Sequence, residues 1–276
     1  MTYEQIEYVS SDLPGMPQVL VVNADGRARY SSHSNASDPE RPEIGRYEAR
    51  LTAAQIEALF ATFEAANPKT LVDHWGEVHS GEDHRRIRIT TTEGVIEKLV
   101  ALRLPVSAGM QTLIDALDRV VKLAKSSPQK VLQLDLGPSD VDAGGRFTLA
   151  LSLRNSGTEP ISFNNPVVAE TESDGRIEIQ AWPDRDVSAL RQDDLLAVAI
   201  DGIESTETAG QNAAASRTLN LAPGSAVAFR ILGAFPFEDP GDYLFRVSYT
   251  SYADAADVQS SIRGRIDSRR VAVRKP

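Results

Sequence analysis

The sequence predicts an α+β domain followed by an all-β sandwich. Two observations carry that reading. Apolar residues recur at helical spacing in two stretches of the first half, Ile56–Phe63 and Met110–Val121, among strand-like runs. The second half has no helical period; its short alternating runs are separated by Gly, Pro and Asn. Ser126-Ser127-Pro128 stops the last helical stripe and places the boundary, giving domains 1–127 and 128–276. A chain of 276 residues suits two domains.

In chain order, QVLVVNADGRARYSS (18–32) is a hairpin turning at Asp25-Gly26, and GRYEARL (45–51) alternates as a further strand. Thr52 and Gln55 form a capping box, each side chain meeting a free amide of the first helical turn. Ile56, Leu59, Phe60 and Phe63 then make one apolar face. RRIRITTTEGVIEKLVA (85–101) is a second hairpin, turning near Glu93-Gly94. In 106–128, Met110, Leu113, Ile114, Leu117, Val120 and Val121 form a stripe, and Lys122 and Lys125 complement the negative helix C-terminus. Two amphipathic helices and about five strands predict an antiparallel sheet with both helices on one face.

Beyond Pro128 the strand-like runs are 130–163, RIEIQAW, RTLNLAPGSAVAFRIL, GDYLFRVSYTSY (241–252) and GRIDSRRVAV (264–273). The segment from about 164 to 220 is longer than one sandwich connection needs and reads as an acidic insertion. From Glu170 to Glu207 it carries eleven acids against three basic residues, with Asp184, Asp186, Asp193 and Asp194 clustered. Within it, 204–218 is small and polar, and VSALRQDDLLAVAIDGI suits a short helix or an extra strand.

Pro240-Gly241-Asp242-Tyr243 ahead of a strand resembles the tyrosine corner of immunoglobulin-like sandwiches. LSLRNSGTEPISF (151–163) resembles the strand–turn–strand of bacterial immunoglobulin-like domains, and GRIDSRRVAV resembles their last strand. That resemblance implies a fold over about 130–276 and no single activity. It gives Tyr243 a structural role. The first half resembles small uncharacterised bacterial α+β domains with a G-x-Y-x-x-x-L-T strand-to-helix junction, which imply no chemistry.

Several chemistries lose their residues. There is no cysteine, so no disulfide, thiolate nucleophile or cysteine-ligated metal forms. The net charge of -10 argues against nucleic-acid binding. No run of roughly 20 apolar residues is present to insert into a bilayer as a helix. The N-terminus lacks a basic start followed by an apolar stretch, so the chain as written is expected in the cytoplasm, or in the periplasm if a signal peptide has been removed. There is no G-x-S-x-G, H-E-x-x-H or phosphate-binding loop, and no histidine follows His84.

Two places remain for function. DHWGEVHSGEDH (73–84) holds His74, His79 and His84 among carboxylates and is the metal candidate. Its steps of five do not share a helix or strand face, so a solvated loop is expected and no cofactor. The acidic insertion is the docking candidate. A calcium site there would lack the usual ligand loop. The expected function is non-enzymatic binding of another protein with a basic surface, as in bacterial immunity or inhibitor proteins. Asp184, Asp186, Asp193 and Asp194 would steer it, and Trp75 and Phe237 would supply apolar anchors. In GAFPFEDPG, Phe235 and Phe237 either plug the sandwich or, if exposed, form a patch beside the acids. The basic last strand could pair with the acids of the same chain or of a second copy. The alternatives are an envelope accessory or adhesion module, and a metal-dependent hydrolase built on the loop 73–84.

Overall fold

A computed structural model describes residues 2–11, 16–35, 40–76, 84–101, 105–168, 175–184, 195–206, 216–252 and 261–276. It is mostly β, with two α-helices among the described residues. No helix among them is long and apolar enough to cross a membrane. By its contacts the chain forms two compact units, Met1–Ser34 with Gly45–Gln129, and Asn35–Ile44 with Lys130–Pro276.

The first unit contains β1 (Tyr3–Ser11), β2 (Gln18–Asn23), β3 (Arg27–Ser32), most of β4 (Glu43–Arg50), α1 (Ala53–Ala66), β5 (His74–Trp75), β6 (His84–Thr91), β7 (Gly94–Ala101) and α2 (Ala108–Lys125). The sheet order is β4-β3-β2-β1-β6-β7-β5. The sheet has two strands beyond the expected set, β1 and β5, and β5 runs parallel to β7, so the ladder is not wholly antiparallel. β1 takes the central place. A register shift between Tyr3 and Gln5 puts Tyr3, Ile6 and Tyr8 on one face despite their odd spacing. That face meets both helices: Tyr3 stacks on Phe60 and meets Phe63 edge-on from α1, and the Tyr8 hydroxyl bonds Asp118 of α2.

Local chemistry sets the helix ends. Thr52 accepts from the Gln55 amide at 3.3 Å while the Gln55 side chain accepts from the Thr52 amide at 2.8 Å, closing the capping box. Asn67 ends α1 in the left-handed region at φ 46°. Ser107 caps α2, whose last turn carries Lys122 and Lys125.

The second unit contains β8 (Pro128–Val141, all but its first two residues), β9 (Arg146–Asn155), β10 (Ile161–Asn164), β11 (Arg176–Pro183), β12 (Leu196–Ala197), β13 (Ala199–Ser205), β14 (Thr218–Leu221), β15 (Ala226–Ala234), β16 (Gly241–Tyr252), β17 (Arg263–Asp267) and β18 (Val271–Lys275). One ladder runs β13-β15-β9-β8; another runs β12-β11-β16, with β17 and β18 following one another along the same edge of β16; β10 and β14 form a separate ribbon. The pairings between these strands are antiparallel, and an isolated parallel bridge joins Ser162 to Ser261. Alternate residues of β9 and β15 (Phe147, Leu149, Leu151; Phe229, Ile231) share one core with Ile179, Phe245, Val247 and Tyr249 of the other ladder. The Phe147 and Phe245 rings meet at 5.8 Å across it. Burying these side chains supplies about 1.5–3 kcal/mol each before conformational entropy is counted.

Three expectations are corrected. The segment 164–220 is not one excursion: besides β11 and β14, which fall on the expected runs RIEIQAW and RTLNL, it supplies β12 and β13, and β13 pairs with β15 while Ile200 and Ile203 pack on the core. The last strand is two strands, because three residues of 268–270 face two of β16; the Val247 amide donates to the Ser268 hydroxyl at 2.9 Å. The segment 35–44 groups with the second unit rather than the first. Asn35 explains this with a reciprocal pair: its amide nitrogen donates to the Asp267 carbonyl at 2.8 Å, and its oxygen accepts from the Asp267 amide at 2.7 Å.

Candidate functional site

The second unit gathers an aromatic and acidic corner around Tyr243. Its ring is buried, and its hydroxyl donates to the Asp239 carbonyl, four residues upstream, at 2.8 Å. Phe237 stacks on it at 4.6 Å between centroids, and Phe235 meets it edge-on at 4.9 Å. Phe235 is buried and its amide bonds the Gly145 carbonyl at 2.7 Å, which ties the corner to the β8–β9 turn. Gly145 holds φ 78° there, a conformation side chains resist. Lys275, buried in β18, donates to the Phe237 carbonyl at 2.8 Å and to the Glu238 carbonyl. Its ammonium therefore fixes the backbone just before the acids. Burial, and then the charge of Asp239, raise the pKa of the Tyr243 hydroxyl.

Four exposed acids lie close to this group along the backbone: Glu238 and Asp239 upstream of Tyr243, Asp242 just before it on the opposite strand face, and Asp184. Asp184 arrives from another strand. The register Pro183↔Tyr243 brings the end of β11 alongside β16, and the Asp184 amide donates to the Asp242 carbonyl at 2.9 Å. Arg274 is the exposed cation beside them, 4.0 Å from Asp242 with both side chains in solvent, a contact worth little. Phe237 is half-buried: one side stacks on Tyr243 and part remains in contact with water. The corner thus packs three aromatic rings on the core, leaving part of Phe237 at the surface, and carries exposed negative charge on a backbone fixed by hydrogen bonds.

Of the residues expected to bind a partner, Asp184 and Phe237 meet at this corner. Asp186, Asp193 and Asp194 lie outside the described residues. Trp75 belongs to the first unit, half-buried on β5, with its indole nitrogen donating to the Pro105 carbonyl at 2.6 Å. Sequence reasoning did not assign Glu238, Asp239 and Asp242 to the site, although FEDPGDY contains all three.

The metal candidate is divided. His74 is exposed on β5, His84 is half-buried at the start of β6, and His79 lies outside the described residues. Among the described residues no group of three His, Asp or Glu could hold a metal ion. Asp73, next to His74, is engaged by Lys98, whose side chain is 1% exposed in β7. The Lys98 ammonium donates to Asp73 at 2.5 Å and to the Leu71 carbonyl at 2.6 Å. That hydrogen bond and charge hold the Asp73 carboxyl below the usual carboxylate range. The pair anchors the segment that leads into β5.

No protein-family model matches the chain, and no curated protein matches it in sequence. Among solved structures it is similar to AvmM, which catalyses macrocyclization in alchivemycin A biosynthesis, at 12% identity over 54% of this chain and 88% of that one, with a TM-score of 0.28. It is also similar to an ASH/PapD-like domain of human CEP192 (PapD-like domain 7), at 9% identity over 50% of this chain and 83% of that one, with a TM-score of 0.25.

Proposed function

We propose that the chain is a non-enzymatic protein-binding protein whose second unit is an immunoglobulin-like sandwich, and that its acidic corner docks a basic protein in the manner of an immunity or inhibitor protein. The opposed antiparallel ladders and the Tyr243–Asp239 hydrogen bond support the sandwich reading. The observation that carries the binding reading is the surface next to Phe237, a part-buried ring packed on the core and stacked on a buried tyrosine, with exposed Glu238 and Asp239 following it in the chain and exposed Asp242 and Asp184 on neighbouring backbone. An aromatic anchor already held in place loses little side-chain entropy on docking, and exposed charges at its rim steer the encounter.

The test is affinity capture with the intact chain and with a corner variant, Asp184→Asn, Glu238→Gln, Asp239→Asn and Asp242→Asn, at low and high salt. The captured protein is then purified and titrated against both. A partner with a basic surface, weakened by the variant and by salt, is the expected outcome. A partner bound equally by both chains at both salt concentrations would refute corner docking.

A further inference from the structure

The two helices of the first unit leave a groove between them of about 570 Å³. Its floor is apolar: Leu51 and Leu59 from the α1 side, and Ala116, Val120 and Leu123 from α2. From Ala116 to Leu123 the floor spans about 10 Å, or two helical turns, at 1.5 Å per residue. Beside the groove α1 is unusually smooth. Ala54, Ala58, Ala61 and Ala65 are all exposed and fall on one line along the helix, of which Ala58 alone lines the groove; Gln55 and Thr62 complete the α1 wall. The rim charge has one sign. Arg119 and Lys122 line the groove and are exposed, while the four acids of the two helices, Glu57, Glu64, Asp115 and Asp118, are not part of the lining.

We infer that this groove is a second docking site, and that its occupant is an amphipathic α-helix of a partner protein carrying aliphatic residues on one face and acidic residues at its border. Three features select that occupant. Apolar residues repeating at i, i+4 and i+7 on α2 form ridges that interdigitate with a third helix. Ala58 on the α1 wall allows its backbone to approach closely at that point. Arg119 and Lys122 complement acids and disfavour a basic helix. The site is distinct in chemistry from the acidic corner: one takes a basic protein surface, the other an acidic helix. The chain is then a two-site binder.

The experiment titrates the isotope-labelled intact protein with a capped three-heptad peptide helix bearing leucines on one face and glutamates beside them, and with the same peptide carrying lysines instead. The glutamate peptide is expected to saturate and to shift amides of the groove-lining residues. Arg119→Glu with Lys122→Glu is expected to weaken it about tenfold, the sum of two exposed ion pairs. Ala58→Trp fills the groove without touching charge, on an exposed position that tolerates bulk, and is expected to abolish binding. The inference is overturned if the glutamate peptide fails to bind at millimolar concentration, if the lysine peptide binds as well, or if Ala58→Trp leaves the affinity unchanged. Self-association of the intact protein that Ala58→Trp removes would also overturn it, since the occupant would then be a second copy.

Discussion

Replacing Tyr243 by phenylalanine removes one hydrogen bond and keeps the ring; replacing it by alanine removes both. The hydroxyl donates to the carbonyl of exposed Asp239 at 2.8 Å, so water can replace it, and the loss is about 1 kcal/mol. The ring is 6% exposed, stacks on Phe237 and meets Phe235 edge-on. Its deletion costs about 3–5 kcal/mol in lost burial and cavity, with the aromatic contacts contributing about 0.5–1.5 kcal/mol per pair. Tyr243→Ala should therefore exceed Tyr243→Phe by at least about 2 kcal/mol. The assay is urea unfolding read by tryptophan fluorescence. The chain has two tryptophans, Trp75 in the first unit and Trp182 in the second, so a Trp75→Phe background reports the second unit alone. Equal costs for the two substitutions, or a cost for alanine below about 1 kcal/mol, would refute the corner as a packed anchor.

Asp73 gives a pH signature. Its folded pKa is depressed by Lys98, so its contribution is present above the unfolded value near pH 4 and is lost as pH falls through the lower folded value; Asp73→Asn should flatten the acid limb of first-unit unfolding, measured by chemical denaturation across pH 2–5. Asn155 is fully buried, donates to the carbonyls of Glu159 and Leu221 and accepts from the Gly157 amide; Asn155→Ala strands these groups and should cost about 2 kcal/mol or more by urea unfolding. Gly233 of β15 has no room for a Cβ, which would collide with the Ala199 carbonyl and the Phe147 ring; Gly233→Ala should cost about 3 kcal/mol or prevent soluble expression, whereas Gly202→Ala, in open space, should cost far less, as thermal unfolding would show.

Sequence periodicity works where a single face is buried over several residues. The α2 stripe, the hairpin at Asp25-Gly26 and the first half of the run 241–252 obey it, and their signals are local. β1 escapes because its bulge shifts the phase between Tyr3 and Ile6, so no alternation is visible. β5 escapes because two residues carry no pattern; Lys98 and Asp73 fix the chain beside it. The extra residue at 268–270 is invisible because alternation resumes after it, and Ser268 replaces the missing ladder bond. The asparagines in RNSG and FNNP look like turn formers, yet Asn164 accepts from the Tyr249 hydroxyl through its carbonyl and from the Tyr252 amide through its side chain. Tyr243 was legible from P-G-D-Y because its partner lies four residues away. Asp184 was assigned to a docking surface, but Glu238, Asp239 and Asp242 were not, because only the β11–β16 register brings Asp184 to Asp242.

The account rests on negative charge steering a basic protein to the corner around Phe237. The most direct measurement is the association rate constant of the captured, purified partner with the intact chain and with the neutralised corner, as a function of ionic strength. Steering predicts an intact-chain rate that falls steeply with salt and is lowered about tenfold by the variant at low salt, with the two converging at high salt. Identical rates for the two chains at low salt, or an intact-chain rate independent of salt, would contradict it.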